Sequence, residues 1–98
     1  MRWALPLLVL AGCATAPASP PGAVGARYQQ HCARCHDAGA ADAPRPHDRA
    51  EWALRLRQGG MDAMVSTART GRLGMPSRGG CLDCSDQELQ AIVQWMAE

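Results

Sequence analysis

The sequence predicts an all-α domain of about four helices, and three observations carry that expectation. Apolar residues recur at helical spacing, most clearly Leu89, Ile92, Val93 and Met96. Two helix-entrance signals are present, Asp48 with Glu51 and Ser85 with Glu88. No run of Val, Ile, Thr or aromatic residues alternates with polar ones, so no strand pattern competes.

The opening MRWALPLLVLAGC joins Arg2 to an apolar run, Trp3 to Ala11, that is too short to span a bilayer. That is the pattern of an export signal. Leu10-Ala11-Gly12-Cys13 resembles the lipobox of bacterial lipoproteins, in which the cysteine is acylated and becomes the new N-terminus. The alternative is an ordinary cut after Ala14-Thr15-Ala16, which would leave Pro17 just beyond it. The stretch ATAPASPPGA, residues 14 to 23, holds only Ala, Thr, Pro, Ser and Gly and reads as an extended tether. The expected organisation is a signal over 1–12, a lipidated Cys13 with its tether over 13–23, and a folded domain over 24–98. Acyl chains buried in a leaflet hold such a domain at about 0.8 kcal/mol per methylene.

Within the domain, Val24 to Cys35 reads as the first helix, with Tyr28 four residues before Cys32 and on the same face. His36 to His47 is a loop punctuated by Gly39, Pro44 and Pro46. Asp48 and Glu51 open the second helix, which carries Trp52 and Leu56 and ends at Gly59-Gly60. Asp62 is expected to cap a short third helix bearing Met64, Val65 and Ala68 and closed by Gly71. Arg72 to Cys84 is irregular. Ser85 and Glu88 form a capping box for the last helix, with Cys84 and Leu89 placed as a hydrophobic staple.

With 98 residues, one domain is the ceiling. The chain has no Phe, three Trp and one Tyr, and domains this small need a disulfide, a metal or a cofactor as a staple. All ten basic residues are Arg and the formal charge is +1, which provides no footprint for nucleic acid. Residues 24–80 carry nine Arg against five acids, whereas residues 81–98 carry Asp83, Asp86, Glu88 and Glu98 with no base. These segments read as solvated faces with a helix-dipole contribution.

Two C-x-x-C pairs, Cys32/Cys35 and Cys81/Cys84, frame the chemistry. A four-thiolate zinc module would use both, but 45 residues separate them, against about 15–20 in the usual zinc arrangement. A redox dithiol needs a βαβ context that the chain lacks. Cys32-Ala33-Arg34-Cys35-His36 instead matches the attachment signature of a c-type haem. On one helical turn, two cysteines three apart lie on one side and can both bond a porphyrin, and the next residue, His36, can face the iron. The haem is also the large apolar body that the composition lacks. His31 reads as a surface neighbour.

The candidates for the opposite iron face are Met61, Met64, Met75, Met96, His31 and His47. Met64 and Met96 lie on apolar helix faces and read as core; Met61, at a helix entrance, reads as packing. His47 reads as an exposed loop residue. Met75 stands apart in RLGMPSRGG, where Pro76 restricts it to extended backbone and Gly74, Gly79 and Gly80 allow close approach to a flat group. A stiff, extended methionine suits a thioether ligand.

CARCH, Gly39, Pro44, Trp52, GMPSRGGCLDCSDQEL and a closing QWM together resemble the cytochrome c5 branch of the class I cytochromes c, over residues 24–97. The resemblance implies a small class I cytochrome c fold around one covalent haem c, with thioethers at Cys32 and Cys35 and axial ligands His36 and Met75. It implies that the Pro44 carbonyl accepts from the proximal histidine and that Cys81 and Cys84 form a short disulfide; Trp52, and Tyr28 from its place on the Cys32 face, are expected to pack near the haem. It further implies a monomeric one-electron carrier, not an enzyme, meeting respiratory redox proteins in the bacterial periplasm. No small-molecule substrate is expected. The lipid at Cys13 would tether it to a membrane. Ala14 is not the aspartate associated with inner-membrane retention, so the outer membrane is favoured. The competing expectations are a haem sensor or peroxidase-like enzyme with a displaceable Met75, and the zinc module.

Overall fold

The computed structural model describes residues 3–6 and 19–98. The expected lipobox, Leu10 to Cys13, lies outside the described residues. None of the described helices is long and apolar enough to cross a membrane.

Packing starts earlier than Val24. Pro20 is buried, and its carbonyl lies so close to Gly25 that a Cβ there would come within 2.2 Å of the oxygen. The end of the expected tether thus lies against helix α1, Ala23–His31. The single first helix expected over 24–35 is instead two pieces. α1 ends at Cys32, and a one-turn helix α2, Ala33–His36, follows. The Cys32 amide donates to the Tyr28 carbonyl at 2.8 Å, and the His36 amide to the Cys32 carbonyl at 3.0 Å. Cys32 is therefore the joint between the two.

α3, Arg49–Thr70, opens as expected with the Asp48 carboxylate accepting from the Glu51 amide. The second and third expected helices are two segments of this one element, broken at Gly59 and Gly60. Gly60 has φ 76°, a left-handed conformation that glycine adopts at little cost. Helical geometry resumes directly after it. Asp62 accordingly sits inside the first turn, where a carboxylate favours the helix dipole, and not at the entrance. α3 closes on Gly71, at φ 79°. A Cβ there would meet the Met75 carbonyl and the Ser77 amide at 2.8 Å, so this glycine is needed for both conformation and close approach.

The irregular stretch after α3 contains the only strand-like pairing among the described residues, between Arg72 and Met75, and a 3-10 turn, Ser77–Gly80. α4, Asp86–Ala97, carries the expected capping box: the Glu88 amide donates to Ser85 Oγ at 3.0 Å, and the Ser85 amide to Glu88 Oε1 at 3.1 Å. Cys84 and Leu89 are both buried and cluster with Cys81, as the staple requires.

The core forms where α4 packs on α1 and α3. Leu89, Ile92, Val93 and Met96 are all buried, and so is Trp95, which widens that face. Trp95 is central: the Tyr28 ring meets it edge-on at 5.0 Å and the His47 ring at 4.7 Å. His47 is therefore not the exposed loop residue expected. Its amide donates to the Met96 carbonyl at 2.7 Å, and its Nε2 is enclosed without a partner. Met64 and Met96 are core, and Met61 packs against it. Leu56 faces outward, 39% exposed. The acidic tail is also more than a solvated face: Arg27 pairs with Asp83 and Glu88, and Arg69 and Arg78 both pair with Asp86.

Candidate haem site

Cys32 is half-buried against the core, and Cys35 is exposed one turn later; neither is in a disulfide. Burial pushes the Cys32 thiol up to about 11.

His36 is 8% exposed. Its Nδ1 lies 2.8 Å from the Pro44 carbonyl oxygen. A carbonyl only accepts, so Nδ1 carries the proton and Nε2 presents its lone pair, the arrangement that orients a metal-binding imidazole. The carbonyl is itself held in place. Gly39, Ala41 and Asp42 turn the chain with positive φ, the Arg45 guanidinium donates to the Ala38 carbonyl at 3.0 Å, and Trp52 Nε1 donates to the Arg45 carbonyl at 2.8 Å. Trp52 thus does more than pack. It pins the residue next to Pro44.

Tyr28, fully buried, donates its hydroxyl to Asp37 Oδ1. Burial, with the Asp37 carboxylate beside it, pushes that hydroxyl well above its usual range, so it remains a donor. The bond ties α1 to the residue after His36. Nothing in the sequence signals this role for Asp37.

Met75 is half-buried and packs against the core. Its amide donates to the Arg72 carbonyl at 2.8 Å and its carbonyl accepts from the Arg72 amide at 3.0 Å, leaving Leu73 and Gly74 at the tip of a tight turn. Pro76 follows with φ −67° and ψ 154°. Two contacts bring this segment to the cysteine side. A Cβ on Gly74 would lie 3.3 Å from that of Ala41, and one on Gly79 3.7 Å from Cys32 Sγ.

Cys81 and Cys84 are joined in a disulfide. This corrects the zinc alternative, because two of its four thiolates do not exist. It also removes the only thiol from the cluster of His31, Cys81 and Asp83, whose donor atoms lie within 4.8 Å of one another.

The remaining donors are two thiols one turn apart, one imidazole nitrogen and one thioether, bordered by Ala33, Ala41, Gly74 and Gly79. That donor set fits a covalently bound haem. Residues 21–96 match the family model described as cytochrome C oxidase, cbb3-type, subunit III. Over 69 residues the chain is 44% identical to cytochrome c5 of Ectopseudomonas mendocina, covering 69% of this chain and 79% of that protein. It is 38% identical to cytochrome c5 of Azotobacter vinelandii, covering 69% and 83%. The fold is similar, with a TM-score of 0.66 and 36% identity over 78% of this chain and 93% of the other, to a chain in the crystal structure of an electron transfer complex of nitrite reductase with cytochrome c.

Proposed function

The chain belongs to the cytochrome c5 family of class I c-type cytochromes, a carrier of electrons on haem c, and from that membership we propose a membrane-tethered periplasmic carrier with one haem held by Cys32, Cys35, His36 and Met75. Cys32 and Cys35 would hold the haem through thioethers, and His36 Nε2 and Met75 Sδ would hold its iron. When bound, the haem supplies an iron that cycles between ferrous and ferric. The Pro44 carbonyl fixes the tautomer and plane of His36. A methionine–histidine pair would raise the potential of a bound haem, and with His36 and Met75 both committed to holding it no side-chain-free site would remain for a substrate, which fits electron transfer without catalysis. The observation that carries this reading is His36: buried, proton committed to Pro44, Nε2 free, one residue after a pair of unpaired cysteines.

The partners are respiratory redox proteins met through a small transient surface. A nitrite reductase complex of the structural relative supports a redox enzyme as one of them. Lipidation at Cys13 keeps the domain concentrated at the membrane.

The test uses the matured holoprotein. Its pigment should resist extraction by acidified organic solvent, and the ferric form should show the weak red-edge methionine-to-iron charge-transfer band. Met75→Ala should abolish that band, lower the potential and admit small ligands. An unchanged spectrum would overturn the ligand assignment, and absence of the band in wild type at neutral pH would favour the sensor or peroxidase-like alternative. Cys13→Ser should release the protein from the membrane fraction, and retention there would overturn the tether.

A further inference from the structure

We propose that Arg78 is the positioning residue that holds the Met75 loop shut, so that the sulfur resists displacement from the iron; this rests on Met75 being the distal ligand.

The backbone provides the first observation. Residues 78, 79 and 80 all have positive φ, at 57°, 61° and 84°. Two are glycine and the third is arginine. Left-handed backbone is unfavourable for a residue with a Cβ, and a third glycine would relieve it. Strain of this kind persists where the surroundings over-determine it, and it marks sites with a function.

The side chain provides the second. Arg78 Nη2 donates to the Cys84 carbonyl and to Asp86 Oδ1, the latter at 3.0 Å. These groups flank the cap of α4. Asp86 also receives Arg69 Nη1 at 3.2 Å, and Ser77 Oγ donates to the Arg69 carbonyl at 2.8 Å. The loop after Met75 is thus tied at once to the end of α3 and the start of α4. The Arg78 side chain is 21% exposed, and its Nε is closed off from solvent with no acceptor. The chain tolerates a strained backbone and an unsatisfied donor in order to place this guanidinium.

The third is position. The Gly79 amide bonds the Pro76 carbonyl at 3.0 Å, and the Cys81 amide bonds the Arg78 carbonyl at 3.0 Å, so residues 76–81 move as one tight spiral. Gly79 lies against Cys32 Sγ. For the Met75 sulfur to swing away, this spiral must leave its place, and Arg78 is its charged tie to α4. The capping box of α4 uses Ser85 and Glu88 alone, so loosening the loop does not unwind the helix.

The experiment titrates the ferric holoprotein with imidazole, which replaces methionine at the iron, and follows the Soret and red-edge bands. Arg78→Gln should bind imidazole about tenfold more tightly than wild type, equivalent to about 1.4 kcal/mol. Arg78→Gly, which also relieves the backbone, should do the same. Arg78→Lys should fall between them and wild type, because a point charge cannot reproduce the planar fork. Urea unfolding read by helical signal should change far less than the imidazole affinity. The proposal is overturned if Arg78→Gln and Arg78→Gly bind imidazole as weakly as wild type. It is also overturned if Lys is no better than Gln while unfolding stability falls in proportion. Failure of the ligand assignment looks different: the red-edge band would be missing from wild type or would survive in Met75→Ala.

Discussion

His36 and Met75, the two proposed iron ligands, stand in regions built by different means. His36 stands on a one-turn helix directly after the cysteines, and its orienting carbonyl, Pro44, is eight residues away. Trp52 pins the residue after that carbonyl, and Tyr28 ties α1 to the residue after His36. Met75 stands on a turn between α3 and α4, and what holds it comes from Arg69, Cys84 and Asp86. One side is assembled from chain neighbours; the other requires α3 and α4 to have docked first. Of the two proposed ligands, the methionine is therefore the one whose release should leave the fold intact.

Three measurements break or sharpen this contrast. The largest effect is expected from His36→Ala. The matured protein should lose nearly all covalent pigment, as read by haem stain per unit of protein, whereas Met75→Ala should keep it. Equal pigment loss in both variants would erase the distinction between the two sides.

Next comes the double variant Cys81→Ser with Cys84→Ser. Opening so short a loop should lower unfolding stability by about 2 kcal/mol on the loop-closure estimate, read by urea melts. Arg78 should still hold the methionine turn, so the red-edge band should survive in the folded fraction. Loss of the band at unchanged stability would mean that the disulfide, not the guanidinium, restrains that side.

The smallest effect is expected from acid. The Arg27 hydrogen bond holds Asp83 below its ordinary 3.8, the Arg78 and Arg69 hydrogen bonds do the same for Asp86, and the Ser85 amide holds Glu88 below 4.5. Depressed folded values mean that this stability is fully present above the ordinary values and is lost as pH falls through the lower, folded ones. The melting temperature should be level from neutral pH to about pH 5 and decline only below about pH 4. The decline should be shallow, because these pairs are exposed. Asp86→Asn should flatten it, and should weaken the methionine band already at neutral pH, where the wild-type carboxylate is ionised. A decline beginning near neutrality would place the responsible group elsewhere.

Much of the proposed site rests on signals that are local. The attachment pair, the histidine after it and the Pro76 restriction on Met75 all act within a few residues. The two capping signals do as well, and Asp48 and Ser85 both perform as expected. Other features had no such signal. Trp52 reads as packing until its indole N–H is seen on the Arg45 carbonyl. His47 reads as a solvated loop residue until its ring is found against Trp95. The acids of the last segment read as a solvated face until Arg27, Arg69 and Arg78 are found on them.

The residue order alone determined the all-α class and picked out Cys32, Cys35, His36 and Met75 as the proposed haem-holding set. Each depends on spacing along a turn or on restricted dihedrals, and those act before any distant part of the chain arrives. Tertiary structure alone decided which carbonyls accept from Trp52 and Arg78, where α1 gives way to α2, and how the segment after Met75 lies against Cys32. Those outcomes depend on which helix ends meet when α4 buries its apolar face on α1 and α3. That meeting is settled by the summed burial of many side chains, and no short stretch of sequence encodes it.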